Sequence, residues 1–116
     1  MDCPNILTLI GKRIRFLRKE RKLSQERLSE LAGLHPTSLS DIEHGKVNGF
    51  ICNYSNIALA LEVSLADLVD TSSDIGDIES WYEVRTLMGR VKTLDEKKRA
   101  VYLDSAIKLL ERIESI

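Results

Sequence analysis

Proline, cysteine and aromatic residues are scarce in this chain of 116 residues, and long apolar runs are absent. No segment approaches the ~20 consecutive apolar residues that a membrane-spanning helix requires. The N-terminus also lacks a basic start followed by an apolar segment of the signal-peptide type. We therefore expect a soluble, cytoplasmic protein with no membrane partner.

The cysteines and histidines show no arrangement that is typical of a metal or redox site. Cys3 and Cys52 do not form a C-x-x-C pair, and two separate thiols in an intracellular protein are usually reduced. His35 and His44 lie nine residues apart, without a cysteine or carboxylate at metal-ligand spacing. A glycine-rich phosphate loop and a nucleophile elbow are also missing. We expect no metal, no cofactor and no enzymatic activity.

Apolar residues recur at helical spacing along the whole chain, and no stretch alternates convincingly with the period of two that marks a β-strand. This pattern predicts an all-α fold. The length suffices for one domain, or for one small domain with an appendage. In the first part of the chain, five helices are predicted at residues 5–21, 25–32, 36–44, 52–61 and 64–69.

Residues 24–46 are the most informative segment, because they predict two short helices around a glycine turn. The Ser24 hydroxyl can cap the first of these helices. Gly33 tolerates the positive φ with which a chain turns sharply out of a helix. Pro36 is suited to the first turn of the second helix, and Gly45 ends that helix.

The second helix of the pair carries only two large apolar residues, Leu39 and Ile42, which are three apart and face inward. Its opposite face is small and polar, and consists of Pro36, Thr37, Ser40, Asp41 and His44. Such a face suits the major groove of DNA, which admits one helix whose side chains bond to base edges. Short helix pairs around a glycine also occur in many all-α proteins, so this pattern alone leaves a purely structural role equally open.

A basic segment immediately precedes the helix pair. Residues 12–27 contain eight lysines or arginines against two glutamates, whereas the whole chain has a net charge of −1. Such a patch attracts phosphate by releasing condensed counterions. The alternative is a solvated helix face, but the position beside the helix pair favours phosphate binding.

Residues 11–70 resemble the XRE, or lambda-Cro-like, helix-turn-helix family of bacterial and phage repressors. The resemblance rests on the segments G-K-R-I-R-F-L-R-K, L-S-Q-E-R-L-S-E-L-A-G-L, S-L-S-D-I-E-H-G-K and I-A-L-A-L-E-V-S-L-A-D-L. It implies a five-helix domain whose third helix enters the major groove. It further implies a dimeric transcriptional repressor on double-stranded DNA, and thus a cytoplasmic protein associated with the nucleoid.

The family's base-reading positions correspond to Pro36, Thr37, Ser40 and Asp41. These side chains are shorter than the long amides or arginines of many relatives, so we expect few direct base contacts. Pro36 or Thr37 can contact thymine methyl groups, and Asp41 can accept a hydrogen bond from a cytosine amino group. DNA shape and operator spacing would supply the remaining specificity.

Phosphate contacts are predicted for seven residues around the helix pair: Arg13, Lys22, Ser24, Gln25, Ser38, Lys46 and Asn48. The resemblance implies that Gln25 anchors to the DNA backbone, beside helix amides that face phosphate. Arg18 and Glu43 match family positions that commonly pair, and are predicted to form an internal ion pair. His35 is expected either to contact phosphate or only to cap its helix.

Residues 71–77 are polar, acidic and punctuated by glycine, which predicts a linker, and two amphipathic helical runs follow in residues 78–116. Two such helices cannot bury both apolar faces alone. Homodimerisation or higher oligomerisation is therefore predicted through Trp81, Leu87, Val91, Leu103, Ile107 and Leu110. A twofold dimer would place two recognition helices one turn of DNA apart, ~34 Å. Alternatively, the hairpin packs back on the first domain as additional core.

The order of DNA-binding domain, acidic linker and helical hairpin also resembles SinR-type repressors. This resemblance implies multimerisation through residues 76–116, antagonised by a small helical protein that competes for the hairpin. The alternative function is an antitoxin, whose hairpin binds a toxin while its N-terminal half regulates its own operon. Restriction-modification controllers and phage repressors are open too.

Overall fold

The computed structural model describes residues 3–71 and 77–116. Within these ranges the chain forms seven helices and no strand, so the predicted all-α fold is confirmed. The chain divides into two compact units, Met1–Ile78 and Glu79–Ile116. The predicted linker falls mostly on residues 72–76, which lie outside the described residues. The helices are α1 (Cys3–Glu20), α2 (Gln25–Ala32), α3 (Pro36–Glu43), α4 (Ile51–Ala60), α5 (Leu65–Val69), α6 (Ile78–Lys92) and α7 (Glu96–Glu114).

The predicted helices of the first unit differ from the observed ones by at most two residues at each end. The end of α1 is a turn that the sequence does not mark with glycine. Lys22 has a left-handed φ of 55°, and the Leu23 amide donates to the Arg18 carbonyl at 3.0 Å. A non-glycine residue in this conformation is uncommon, and the bond to the preceding helical turn satisfies a carbonyl at the helix end.

Helices α1 to α5 share one apolar core, because each of them buries one face. The largest fully buried apolar side chains are Ile14, Leu17, Leu28, Leu39, Ile57, Leu61 and Leu68. Helix α3 packs against both α1 and α2, while α4 packs against α2 and α5. An eight-residue helix is not stable by itself. Packing of its underside therefore keeps α3 helical.

Helices α1 and α3 approach each other closely at Gly11. A Cβ atom on Gly11 would lie 2.4 Å from the carbonyl oxygen of Glu43 and 2.7 Å from that of Ile42. Gly45, which follows α3 with a φ of 67°, lies against Thr8 of α1, whose Cα would be 3.0 Å from an added Cβ. Glycine at both positions lets the last turn of α3 contact the backbone of α1.

The second unit buries much less of its apolar surface. Among its described residues only Trp81 and Val91 are buried, and α7 contributes none. The Arg85 guanidinium lies 5.9 Å from the centre of the Trp81 ring. Arg99 Nη2 donates to the Leu94 carbonyl at 2.7 Å, which ties α7 to the turn after α6. None of the described helices is both long and apolar enough to span a membrane.

Two residues of the predicted oligomerisation surface, Trp81 and Val91, are buried in the structure. Each is 7% exposed, so both offer a partner much less surface than predicted. Their spacing fits an apolar helix face, but periodicity alone does not say which part of that face the chain itself covers. The other predicted members of the surface, Leu87, Leu103, Ile107 and Leu110, are exposed.

The close approach of α1 and α3 predicts opposite outcomes for two Gly→Ala substitutions in helices. Gly11→Ala should lower the free energy of unfolding by at least about 2 kcal/mol, because the added methyl group meets backbone that must shift. Gly89→Ala in α6 is the matched control, since no atom lies within 4 Å of its added Cβ. It should stabilise by up to about 1 kcal/mol through helix propensity. Urea titration measures both, and equal effects would contradict the close approach.

Candidate nucleic-acid interface

Helix α3 is capped by the residue that precedes it. His35 is the N-cap, and its Nδ1 accepts the Thr37 amide hydrogen at 3.1 Å. Pro36 occupies the first helical turn, where a missing amide hydrogen has no cost. Leu39 and Ile42 are buried, as predicted. From the sequence, His35 is expected either to contact phosphate or only to cap the helix, and the structure shows the cap.

The outer face of α3 is polar and open to a ligand. Thr37 and Ser38 are exposed, while Pro36, Ser40 and Asp41 are partly exposed. This face offers hydroxyl groups, a carboxylate and one apolar ring. Such groups are able to bond to base edges and to contact thymine methyl groups. Within the described parts of the chain, no cluster of histidine, cysteine or acidic residues could hold a metal ion.

Helix α2 begins and ends as its sequence predicts. Ser24 Oγ accepts the Arg27 amide hydrogen at 3.0 Å, which caps the first turn. Gly33 adopts a left-handed φ of 71°. The Leu34 amide then donates to the Ser29 carbonyl at 2.8 Å, which closes the turn toward α3. The N-terminus of α2, which packs against α3, is the end of this helix that its dipole makes favourable for an anion.

The predicted ion pair of Arg18 and Glu43 is present in the interior of the domain. Arg18 Nε donates to Glu43 Oε2 at 2.7 Å, and Arg18 Nη2 donates to Oε1 at 3.1 Å. The side chains are 11% and 1% exposed. Two further bonds were not predicted: Gln25 Nε2 donates to Glu43 Oε1 at 3.1 Å, and Arg18 Nη1 donates to the Leu23 carbonyl at 3.0 Å. The pair thus connects α1, α2 and α3.

The structure contradicts the prediction that Arg13 contacts phosphate. Arg13 is 3% exposed, and its Nη1 donates to the Leu68 carbonyl at 3.0 Å, near the end of α5. Burial lowers the pKa of the Arg13 guanidinium, an effect opposed by the carboxylates of Asp70 and Asp67. Its role is to connect α1 to α5. A charged residue on a helix is usually exposed, and the sequence gives no sign that α5 covers this one.

The basic segment before α2 presents less positive charge than its sequence indicates. Besides Arg13 and Arg18, Arg21 pairs with Glu62, and Arg27 pairs with Glu30. The remaining basic residues, exposed and without an ion pair inside the described ranges, are Lys12, Arg15, Lys19 and Lys22. Lys22 lies three residues before Gln25, the first residue of α2, so it is the nearest of them in sequence to an anion bound there.

The loop after α3 presents two of the predicted phosphate ligands, Lys46 and Asn48, which are both exposed. Tyr54 of α4 positions this loop, because its hydroxyl accepts the Gly49 amide hydrogen at 3.1 Å. The Tyr54 ring is buried. A tyrosine within an apolar helical stripe needs a hydrogen-bond partner when buried. This requirement is the feature of the sequence that points to Tyr54.

Residues 11–71 match the model of a helix-turn-helix domain family. The chain belongs to this family. Proteins of this family are DNA-binding transcription regulators and not enzymes. The geometry described above is therefore that of a DNA-binding domain.

Two relatives and one solved structure show how far the similarity extends. The immunity repressor protein of Bacillus phage phi105 is 30% identical over 90 residues, which cover 78% of this chain and 62% of the phage protein. Control protein C.BamHI of Bacillus amyloliquefaciens is 40% identical over 76 residues, which cover 65% of this chain and 93% of that protein. A chain of the SinR protein/SinI protein complex is similar with a TM-score of 0.56 and 30% identity, covering 88% of this chain and 98% of that one. The chain thus spans less than two thirds of the phage repressor's length.

The buried ion pair predicts that two glutamates of the domain contribute very differently to stability. Glu43→Ala leaves the nearly buried Arg18 guanidinium unpaired, which should lower the free energy of unfolding by about 3 kcal/mol. Glu30→Ala is the matched control, because Glu30 pairs with Arg27 at the surface. It should change stability by less than about 0.5 kcal/mol. Chemical unfolding of both variants tests this, and a small loss for Glu43→Ala would contradict the network.

Proposed function

We propose that this chain is a sequence-specific transcriptional repressor, which binds pseudo-palindromic double-stranded DNA as a homodimer through α3. The observation that carries this proposal is the arrangement of α3. Its apolar underside is fully packed, its small polar outer face is open, and the start of α2 lies next to it. This combination suits a helix that enters the major groove while neighbouring amides contact phosphate.

In this proposal, bases are read by Pro36, Thr37, Ser40 and Asp41. Phosphate is contacted by the predicted residues that remain at the surface: Lys22, Ser24, Gln25, Ser38, Lys46 and Asn48. They lie on both sides of α3, at the start of α2 and in the loop after α3. Since phosphate contacts fix register and base contacts carry sequence information, the short side chains on α3 limit direct readout. Operator spacing and DNA shape then contribute much of the specificity.

Homodimerisation is assigned to the exposed apolar face of α7. Leu103, Ile107 and Leu110 are 43%, 56% and 55% exposed and recur on one side of the helix. Leu87 of α6 is 45% exposed. A contiguous apolar face on a 19-residue helix is a surface that a partner covers, and a second copy is always available. The similar SinR chain is found in a complex with SinI, which supports a small protein antagonist as a competitor for this face.

The DNA-reading role of α3 predicts loss of specific binding on removal of its polar groups. The operator is first obtained by sequencing the DNA fragments that the protein retains. The triple variant Thr37→Ala, Ser40→Ala, Asp41→Ala should then bind the operator at least about 10-fold more weakly, since a good bidentate contact to a base contributes about 1–3 kcal/mol and these short side chains make few contacts. A control variant with the same residue types replaced on exposed positions of α6 and α7 (Thr86, Ser105 and Asp104) should bind like the wild type. Unchanged affinity of the α3 variant would contradict the proposal.

The proposed dimer predicts that a lysine substitution weakens dimerisation on one side of α7 but not on the other. Ile107→Lys should raise the dimer dissociation constant by about 100-fold or more, because an uncompensated buried charge costs about 3 kcal/mol or more. Val101→Lys is the matched control. Val101 is 68% exposed and lies on the opposite side of the helix from Leu103 and Leu110. Sedimentation equilibrium measures both variants, and a wild type that is monomeric at all concentrations would contradict self-association.

A further inference from the structure

We propose that Glu43 is a positioning residue for DNA binding, which acts by fixing the side-chain amide of Gln25 at the start of α2. This inference rests on the proposed DNA-binding function. The interior ion pair would then affect DNA binding as well as stability, because the strength of a phosphate contact at the surface depends on a carboxylate in the interior. The three residues involved come from three helices, α1, α2 and α3.

The first step concerns the orientation of the Gln25 amide. Glu43 Oε1 lies 3.1 Å from Gln25 Nε2. An ionised carboxylate only accepts hydrogen bonds, so the amide must present its NH₂ group, and not its oxygen, to Glu43. One amide orientation is therefore enforced. The second Nε2 hydrogen and Oε1 remain for a ligand outside the domain.

The second step concerns the rigidity of the carboxylate itself. Arg18 binds both Glu43 oxygens in a bidentate arrangement, which is the strong and geometrically specific form of this pair. The Glu43 side chain is only 1% exposed, so water does not compete for it. Gln25 thus bonds to a fixed acceptor and not to a mobile one.

The third step concerns the main chain at the same point. Arg18 Nη1 also donates to the Leu23 carbonyl at 3.0 Å, immediately before the Ser24 cap. One guanidinium therefore fixes both the entry of the chain into α2 and, through Glu43, the side chain of the first residue of α2. The free amides and the Gln25 side chain are ordered before an anion arrives.

A side chain that is already ordered in the free protein loses less conformational entropy on binding. A polar side chain that must be immobilised on association weakens the complex by an amount equal to about 2- to 12-fold in the dissociation constant. Loss of the Glu43 acceptor should weaken DNA binding within this range even when the domain stays folded. Removal of the Gln25 amide eliminates the phosphate contact as well as its ordering, so it should weaken binding at least as much.

A double-mutant cycle tests whether Glu43 acts through Gln25. Operator binding is measured for Gln25→Ala, Glu43→Met and the double variant, at a temperature where circular dichroism shows that each is folded. Methionine has a similar length to glutamate but no oxygen that could accept from Gln25. Glu43→Met should bind about 5-fold more weakly, within the range above, Gln25→Ala at least as weakly, and the double variant no more weakly than Gln25→Ala. Glu30→Met, which removes the same charge from a surface pair, should bind like the wild type.

The mobility of the Gln25 amide provides a readout that a purely structural role of Glu43 would not change. In DNA-free Glu43→Met, the order parameter of the Gln25 side-chain NH₂ group should fall below about 0.6, the value of flexible parts of proteins. Losses of affinity that multiply in the double variant, or a Gln25 amide that stays rigid in Glu43→Met, would overturn the inference while leaving the proposed function intact. If the wild type retains no specific DNA sequence, the proposed function fails as well.

A measurement on the wild type keeps the inference testable if Glu43→Met does not fold. Gln25 is the only glutamine in the chain, so glutamine-selective ¹⁵N labelling isolates its side-chain amide in an NMR spectrum. In the DNA-free protein its NH₂ order parameter should be about 0.8, as in rigid parts of proteins. An order parameter below about 0.6 would show that the amide is mobile before DNA binds, and would overturn the inference.

Discussion

The structure depends on the contact between the last turn of α3 and the backbone of α1. Gly11 permits the close approach of the two helices, and the Arg18–Glu43 pair bonds them on the same side of the core. Helix α3 has eight residues and only two large apolar side chains, so it gains little stability from its own sequence. Its orientation, and with it the direction of its outer face, is determined by α1.

Much of this fold could be predicted because local signals and tertiary packing agree. Ser24, Gly33 and Gly45 mark helix ends in the sequence, and the structure uses each of them in that way. The failures concern residues whose environment is set by distant parts of the chain. Arg13 is covered by α5, which no pattern near Arg13 indicates. The contact that requires Gly11 is likewise made by α3, and a glycine within a helix gives no sign of what it faces.

In the candidate interface, too, features set by neighbouring residues could be predicted, and features set by packing against distant residues could not. Its central helix and its capping residues could be predicted from the sequence. The positive charge that it presents to a ligand could not, because counting lysines and arginines ignores which of them are buried or paired. Half of the basic residues in positions 12–27 are buried or paired with carboxylates. The bond from Gln25 to Glu43 joins residues 18 positions apart, and only the packing of α2 on α3 brings them together. In the second unit, the apolar face of α7 is exposed in the single chain, as the core of a dimer would be before association. Self-association and DNA contact are therefore two parts of one proposal.

The outer face of α3 and the start of α2 together form the proposed DNA-binding surface. The decisive measurement is the titration of ¹⁵N-labelled protein with its isolated operator, followed residue by residue in NMR spectra. The largest shifts and the strongest protection of amides should fall on residues 22–25, 37–41 and 46–48, since Pro36 has no amide hydrogen. Perturbations concentrated on α5 or α7, with those three segments unchanged, would contradict this proposal.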